Sequence, residues 1–132
     1  MSRREGDNMA TTWHENGQKH CDISMRDGKA HGPFTVWYTN GQKRMEGEWR
    51  DGKAHGTWTG WRESGQKAEE GEYHDGKRRG TWTHWYRQGS VWMTEEYRDD
   101  KRHGTCTIWH ENGQQIETKE YIDGERVEEA RR

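Results

Sequence analysis

The sequence predicts an all-β protein, an elongated antiparallel meander of stacked β-hairpins with about ten strands, two in each repeat. The first observation behind this prediction is a 24-residue repeat that runs without insertion or deletion. The second is that two turn signals divide each repeat into segments long enough for strands and too short for stable helices. The clearest columns of the repeat are a glycine column and a tryptophan column: Gly17, Gly41, Gly65, Gly89 and Gly113, and Trp13, Trp37, Trp61, Trp85 and Trp109.

The first turn signal is Asn-Gly, at positions 16–17, 40–41 and 112–113. It predicts a two-residue type I′ hairpin turn, which needs a positive φ at both central residues. Ser64-Gly65 and Gln88-Gly89 occupy the same place in two other repeats. The second signal is Asp-Gly-Lys-x-His-Gly, as in Asp27–Gly32 and Asp51–Gly56, which predicts a longer turn with a glycine near each end.

The composition predicts an aromatic core and excludes several classes of function. The chain has nine Trp and five Tyr but no Leu, so a conventional aliphatic core cannot form. A net charge of −2 argues against nucleic-acid binding, which needs a basic surface. No apolar run is long enough to cross a membrane, and the first residues lack a secretory signal. Together with only two cysteines, these features predict a cytoplasmic protein.

The repeat divides the chain into three parts. Residues 1–8 form an N-terminal tail, residues 9–125 the array of about five 24-residue units, and residues 126–132 a charged C-terminal cap. After Gly124 the chain continues as ERVEEARR, for which we expect no further strand. Charges at this end would discourage end-to-end growth of the sheet.

Two consecutive segments carry a family resemblance. EGEWRDGKAHGTWTGW (Glu46–Trp61) and EGEYHDGKRRGTWTHW (Glu70–Trp85) resemble MORN repeats, and the NGQK turn resembles their bacterial variant. The resemblance covers residues 9–125 and implies a hairpin array that binds proteins or lipids. Small bacterial proteins with this variant include antitoxins and immunity proteins. The fourth unit departs from the pattern at Gln88–Trp92 and at Asp100, where the other units have glycine.

The sequence offers no metal or cofactor site that we expect to be real. His31, His55 and His103 share a column, but successive members lie about 9–10 Å apart, too far for a common zinc ion. His14-Glu15 and His110-Glu111 lack the second histidine of a zinc protease motif. Loops for calcium or phosphate are also missing. The glycines serve turns.

We also expect no enzymatic activity. The glutamates recur in columns, which is typical of a solvated strand face and not of one tuned acid–base pair. Cys106 stands in an aromatic column, which favours a packing role over a nucleophilic one. A distance on the order of 30–40 Å separates it from Cys21, so the two cannot form a disulfide.

The aromatic columns are the candidate binding surface. Phe34 and Trp37, like Trp58 and Trp61, are three residues apart, and an odd spacing places side chains on opposite faces of a regular strand. Either one tryptophan column faces away from the core, or a bulge bends the strand and all columns are core. Trp92 lies outside every column, beside an irregular turn. The predicted partner-binding residues are Trp37, Trp61, Trp85, Tyr86, Trp92 and Trp109.

The preferred function is therefore a non-catalytic protein–protein interaction module. The resemblance implies an antitoxin or immunity protein whose partner is a toxin. One alternative is binding of a lipid or another small ligand through the aromatic stripe, which the lack of a basic cluster disfavours. The other is a structural protein that forms homo-oligomers through its open sheet edges.

Overall fold

The structure, a computed structural model, describes residues 7–128 and consists of one antiparallel sheet. These residues contain no helix. The strands are β1 (Asp7–Trp13), β2 (Lys19–Arg26), β3 (Lys29–Trp37), β4 (Lys43–Arg50), β5 (Lys53–Ala54), β6 (Gly56–Trp61), β7 (Lys67–His74), β8 (Lys77–Trp85), β9 (Val91–Arg98), β10 (Lys101–Arg102), β11 (Gly104–Trp109), β12 (Gln115–Ile122) and β13 (Glu125–Val127).

The strands follow one another across the sheet in chain order, which confirms the predicted meander. The order is β1-β2-β3-β4-β6-β7-β8-β9-β11-β12-β13, with β5 paired to β4 and β10 paired to β9. The short strands β5 and β10 are separated from β6 and β11 by single residues, His55 and His103. The backbone N–H groups of these two histidines donate to the backbone carbonyls of Glu48 and Glu96, at 3.0 and 2.8 Å.

The two ends of the array contain more sheet than we expected. β1 begins at Asp7, and Asp7 and Asn8, which the sequence placed in the tail, pair with β2. The prediction of no strand after Gly124 is wrong, because β13 pairs with β12. Backbone pairing after a tight turn does not need apolar side chains. Residues 1–6 and 129–132, the rest of the predicted tail and cap, lie outside the described residues.

The tight hairpin turns are at Asp-Gly, a reversal of the prediction. Asp27 and Gly28 both have a positive φ, 49° and 79°, as a two-residue type I′ turn requires. The flanking residues Arg26 and Lys29 pair with each other. In the fourth repeat Asp100 replaces the glycine and still has a φ of 69°.

The Asn-Gly turns are three-residue loops in which only the glycine is left-handed. The N–H of Gly17 donates to the carbonyl of His14 at 3.0 Å, and the N–H of His14 donates to Gln18 at 2.8 Å. Asn16 keeps a negative φ, and its side chain stabilises this conformation with two hydrogen bonds. Its Oδ1 accepts from the N–H of Gln18, and its Nδ2 donates to the carbonyl of Thr39.

The core is a continuous chain of rings on one side of the sheet, here called the aromatic face. Successive ring centroids lie 5.1–6.4 Å apart, mostly edge to face. Trp58 covers Gly47 and Trp82 covers Gly71 so closely that a Cβ atom at either glycine would collide with the indole. The rings are Phe34, Trp49, Trp58, Tyr73, Trp82 and Tyr97.

Candidate functional site

The second tryptophan column lies on the face opposite the aromatic face. Trp58 and Trp61 are three residues apart in β6, so the alternation of the strand directs them to opposite sides. This geometry settles the two alternatives in favour of two separate tryptophan columns. We call the second column and the lysines between its members the Trp–Lys row: Trp13, Lys19, Trp37, Lys43, Trp61, Lys67, Trp85 and Trp109.

A β-bulge brings each lysine into this row. Gly60 pairs with Glu69, but the next residue, Trp61, pairs with Lys67, so Ala68 is an extra residue in β7. The extra residue turns the Lys67 side chain to the face that carries Trp61. The bulge recurs beside every tryptophan of the column.

Each of the three lysines makes the same two contacts. Its Nζ lies 5.8 Å from the centroid of the next tryptophan along the row. It also lies 2.7–3.2 Å from a carboxylate three residues later in its own strand. The ion pairs are Lys19–Asp22, Lys43–Glu46 and Lys67–Glu70. A cation and an aromatic ring therefore alternate along this edge of the face, with each cation held in place by an anion.

Threonine hydroxyls also hold two of the carboxylates that pair with the lysines. The hydroxyl of Thr59 donates to Glu70 Oε2 at 2.7 Å and, with Lys67, holds the pKa of that carboxyl below its ordinary value. The equivalent bond in the first repeat joins Thr11 to Asp22 at 2.8 Å. The row is thus electrically balanced and its geometry is repeated.

Side chains that follow the tryptophans tie one repeat to the next. The hydroxyl of Tyr38 donates to the carbonyl of Trp61 at 2.7 Å, and Arg62 Nη2 donates to Trp85 at 2.8 Å. His14 lies 2.8 Å from the carbonyl of Trp37. Sequence reasoning missed this column because its residue type varies, with histidine, tyrosine and arginine at equivalent positions. Its effect is to hold the backbone under the Trp–Lys row.

Three segments of 22 residues match the family model described as the MORN repeat variant: residues 30–51, 54–75 and 102–123, together half of the 132-residue chain. This chain is a MORN repeat protein. No match falls on residues 76–101, the region that contains the irregular turn and Trp92. MORN repeats are generally binding modules for proteins or membranes and are typically not catalytic.

Comparisons with solved structures and with curated proteins are less informative than the family match. Among solved structures, the chain is similar to the crystal structure of accessory secretory protein 1, 2 and 3 in Streptococcus pneumoniae, with 11% identity and a TM-score of 0.42. That match covers 83% of this MORN protein and 20% of the other chain, so the protein spans about a fifth of its length. Comparison with curated proteins finds no match.

The structure divides the six predicted partner-binding residues between the two faces of the MORN sheet. Trp37, Trp61, Trp85 and Trp109 lie in the Trp–Lys row, although Trp109 has no lysine before it because Val91 stands at that position. The other two residues, Tyr86 and Trp92, pack on the opposite face.

Tyr86 and Trp92 contact each other on the aromatic face. Their ring centroids are 6.2 Å apart, and the indole of Trp92 also meets the ring of His84 at 5.9 Å. The hydroxyl of Tyr86 donates to the carbonyl of Trp109 at 2.6 Å. Tyr86 therefore has a structural role, whereas Trp92 is exposed. The structure does not join these two residues to the Trp–Lys row.

The fourth repeat also contains a buried carboxylate that sequence reasoning missed. Glu95, 4% exposed, occupies the place of Gly47 and Gly71 in the earlier repeats. His84 lies 2.9 Å from one oxygen of Glu95, and Arg102 donates to the other at 2.7 Å. These contacts, the hydrogen bond with His84 first, lower the pKa of Glu95 to about 2. The available signal was a charged residue at the position that glycine occupies in the two preceding repeats.

Cys106 lies beside this carboxylate in place of a tryptophan. It is 5% exposed, and burial raises the pKa of its thiol, with the charge of Glu95 acting in the same direction. A protonated, buried thiol next to a fully ion-paired carboxylate is suited to packing and is a poor nucleophile. Both Cys106 and Cys21 are free thiols.

The histidine column links successive turns. His31 Nδ1 accepts from the N–H of Asp51 at 3.2 Å, and His103 Nδ1 accepts from Asp123 at the same distance. Within residues 7–128, no three His, Cys, Asp or Glu side chains come close enough together to hold a metal ion. None of these residues belongs to a helix long and apolar enough to span a membrane.

Proposed function

We propose that this MORN repeat protein binds another protein through the Trp–Lys row. The observation that carries the proposal is the row itself, in which indole rings on the face away from the core alternate with ion-paired lysines. The fold does not need these rings for its core, because the aromatic face supplies one. Tryptophan is enriched among residues that dominate binding energy at protein interfaces.

The dimensions of the row suit an extended partner. Equivalent tryptophans stand two strands apart, about 9–10 Å, and the stretch from Trp37 to Trp109 crosses seven strand positions, on the order of 30 Å. A partner that covers the row and its flanking carboxylates would bury an area typical of specific complexes, about 800 Å² on each side. The alternating charges would favour one register of the bound partner, and they would discriminate less between partners of different net charge.

We further propose a toxin as the partner and the cytoplasm as the site of action. This finer assignment is supported by the resemblance of the NGQK-type units to the bacterial MORN variant. The antitoxin would act by covering a surface that the toxin needs for its own activity. Trp92 is a candidate for a second contact, because it is the exposed indole of an irregular repeat.

An affinity pull-down from host lysate, analysed by mass spectrometry, tests these proposals. The bait is the full chain beside two variants, Trp61→Ala/Trp85→Ala in the row and Trp92→Ala on the other face. We expect one stoichiometric protein with the parent chain and its loss with the row variant. A partner retained by the row variant and lost with Trp92→Ala would move the interface to the aromatic face. An empty parent bait would contradict the proposal.

Self-association is a second candidate because both ends of the sheet are open. Within residues 7–128, β1 pairs only with β2 and β13 only with β12. Large apolar side chains are exposed near both edges: Met9, Trp13, Ile122 and Val127. Light scattering across a wide concentration range tests this candidate, and a constant monomer mass would exclude it.

Co-sedimentation with anionic vesicles tests lipid binding, for which the net charge of −2 offers no attraction.

A further inference from the structure

A gap interrupts the aromatic face at Gly60. Next to the chain of core rings runs a second line of side chains, one from each strand, and β6 contributes only a hydrogen atom to it. Gly60 pairs with Met45 on one side and with Glu69 on the other. Its φ is outside the left-handed region, so the backbone does not require glycine here. The equivalent residue of the preceding repeat is Val36.

The missing side chain leaves a cavity of about 150 Å³ with aromatic walls. Tyr73 meets both indoles edge to face, with centroid distances of 5.6 Å to Trp58 and 5.1 Å to Trp82. Trp82 is 6% exposed, so this wall is fixed, whereas Trp58 and Tyr73 are half-buried. The lining residues are Met45, Trp58, Thr59, Gly60, Glu69, Tyr73 and Trp82.

The lining of the cavity includes one carboxylate, that of Glu69. The carboxylate of Glu69, 48% exposed, stands beside the gap, and its nearest ion-pair partner is His84 Nδ1 at 3.7 Å. Burial, with smaller contributions from Asp100 and Glu69 and an opposing one from Arg78, raises the pKa of Tyr73, so its hydroxyl stays neutral. Aromatic faces attract cations through their quadrupole, and most strongly where the cation is desolvated.

We propose that this cavity binds a quaternary or methylated ammonium group. Such a cation carries its charge on a methylated surface, which suits aromatic walls. A metal ion needs several oxygen ligands, and this lining offers a single carboxylate side chain. An apolar cavity of about this volume accommodates a benzene molecule, so a trimethylammonium group fits. The site is on the face opposite the Trp–Lys row and does not depend on the proposed function.

Nuclear magnetic resonance of the full chain tests the proposal with choline chloride as the probe. The indole N–H signals of the nine Trp residues serve as the readout, and single Trp→Phe variants assign them. We expect choline to shift the signals of Trp58 and Trp82 in a saturable manner, while Trp61 and Trp85 on the other face stay unchanged. The neutral isostere 3,3-dimethylbutan-1-ol should bind about tenfold more weakly, because it lacks the charge that the rings and carboxylate attract.

Two variants test separately how the cavity and the carboxylate charge contribute to choline binding. Gly60→Val places a side chain in the gap, as Val36 does in the preceding repeat, and moves the flexible Glu69 side chain aside. It should abolish the choline shifts while the other indole signals keep their positions. Glu69→Gln leaves the cavity open and should weaken choline binding about threefold or more at low salt without affecting the neutral isostere. This second variant keeps the test valid if Gly60→Val disturbs the fold.

A titration with Nα-acetyl-trimethyllysine methylamide distinguishes the source of the cation. Tighter binding than choline would indicate a modified lysine of a protein, and weaker binding would indicate a small free ammonium compound. The proposal is overturned if choline leaves Trp58 and Trp82 unshifted, if the neutral isostere binds equally well, or if folded Gly60→Val still binds.

Discussion

Two regions of the aromatic face fill equivalent positions in opposite ways. In β4–β8, an indole covers a glycine of the preceding strand, as Trp82 covers Gly71. In β9–β11, the same two places hold Glu95 and Cys106, a buried carboxylate beside a small thiol. The first region is stabilised by apolar contact, and the second by the hydrogen bonds of Glu95 with His84 and Arg102.

The difference shows that two columns of the repeat depend on each other. Side chains adjacent across two strands share one limited volume, so the indoles of Trp58 and Trp82 leave room only for glycine at positions 47 and 71. Glu95 fits only because Cys106 leaves the space that an indole fills elsewhere. A charged residue can then be tolerated because His84 and Arg102 satisfy both of its oxygens.

Removing the indole from the first region should have the largest effect. We expect Trp82→Ala to lower the free energy of unfolding by about 3–4 kcal/mol, because it leaves a cavity over Gly71. Urea unfolding followed by circular dichroism measures this change. The control is Trp61→Ala, which removes a ring of the Trp–Lys row and should cost about 1 kcal/mol. Equal losses would show that the aromatic face is not the main core.

Filling the glycine position should have the next largest effect. Gly71→Ala places a methyl group against the indole of Trp82 and should destabilise the protein by about 2–3 kcal/mol in the same unfolding assay. The matched control is Gly60→Ala, where the backbone is extended and only the flexible Glu69 side chain must move. We expect it to cost less than about 1 kcal/mol.

A double variant sharpens this test by copying the second region. Adding Trp82→Cys to Gly71→Ala should give a loss smaller than the sum of the two single losses, because the collision is removed. Strict additivity would contradict the dependence between the two columns.

The second region should make stability depend on acid pH. The pKa of Glu95 is lowered to about 2 in the folded protein, so the unfolded chain binds its proton more readily. Its contribution, about 2 kcal/mol, is therefore complete above the unfolded pKa of about 4.5 and is lost as the pH falls towards 2. Urea unfolding at several pH values measures it. Glu95→Gln should reduce the dependence of the unfolding free energy on pH, and an unchanged dependence would assign the acid sensitivity to other groups.

A substitution in the turn of the second region should have the smallest effect on the free energy of unfolding. Asp100 adopts a positive φ of 69° where the first region has Gly52 and Gly76. Asp100→Gly relieves this strain but removes the exposed ion pair with Arg78, whose atoms lie 2.6 Å apart. These opposing effects should leave the unfolding free energy within about 0.5 kcal/mol of the parent. A loss several times larger would show that the Arg78 contact holds the two regions together.

Much of the fold was predictable from the sequence because it depends on local chemistry. The 24-residue period, the positions of both turns and the alternation of strands follow from glycine, asparagine and aspartate at fixed intervals. Local signals did not determine the turn types. Asn16 uses its side chain to hold a right-handed turn, whereas Asp27 accepts the left-handed one.

The sequence by itself therefore determined a hairpin array with an aromatic core, because turn residues and a strict period leave few other ways to pair the strands. Only the tertiary structure decided which surface each tryptophan occupies. The odd spacing of Trp58 and Trp61 was compatible with one face or two, and a bulge at Ala68 placed Lys67 beside Trp85. The cavity at Gly60 likewise appears only when rings from three strands meet around it, since no single segment contains its walls.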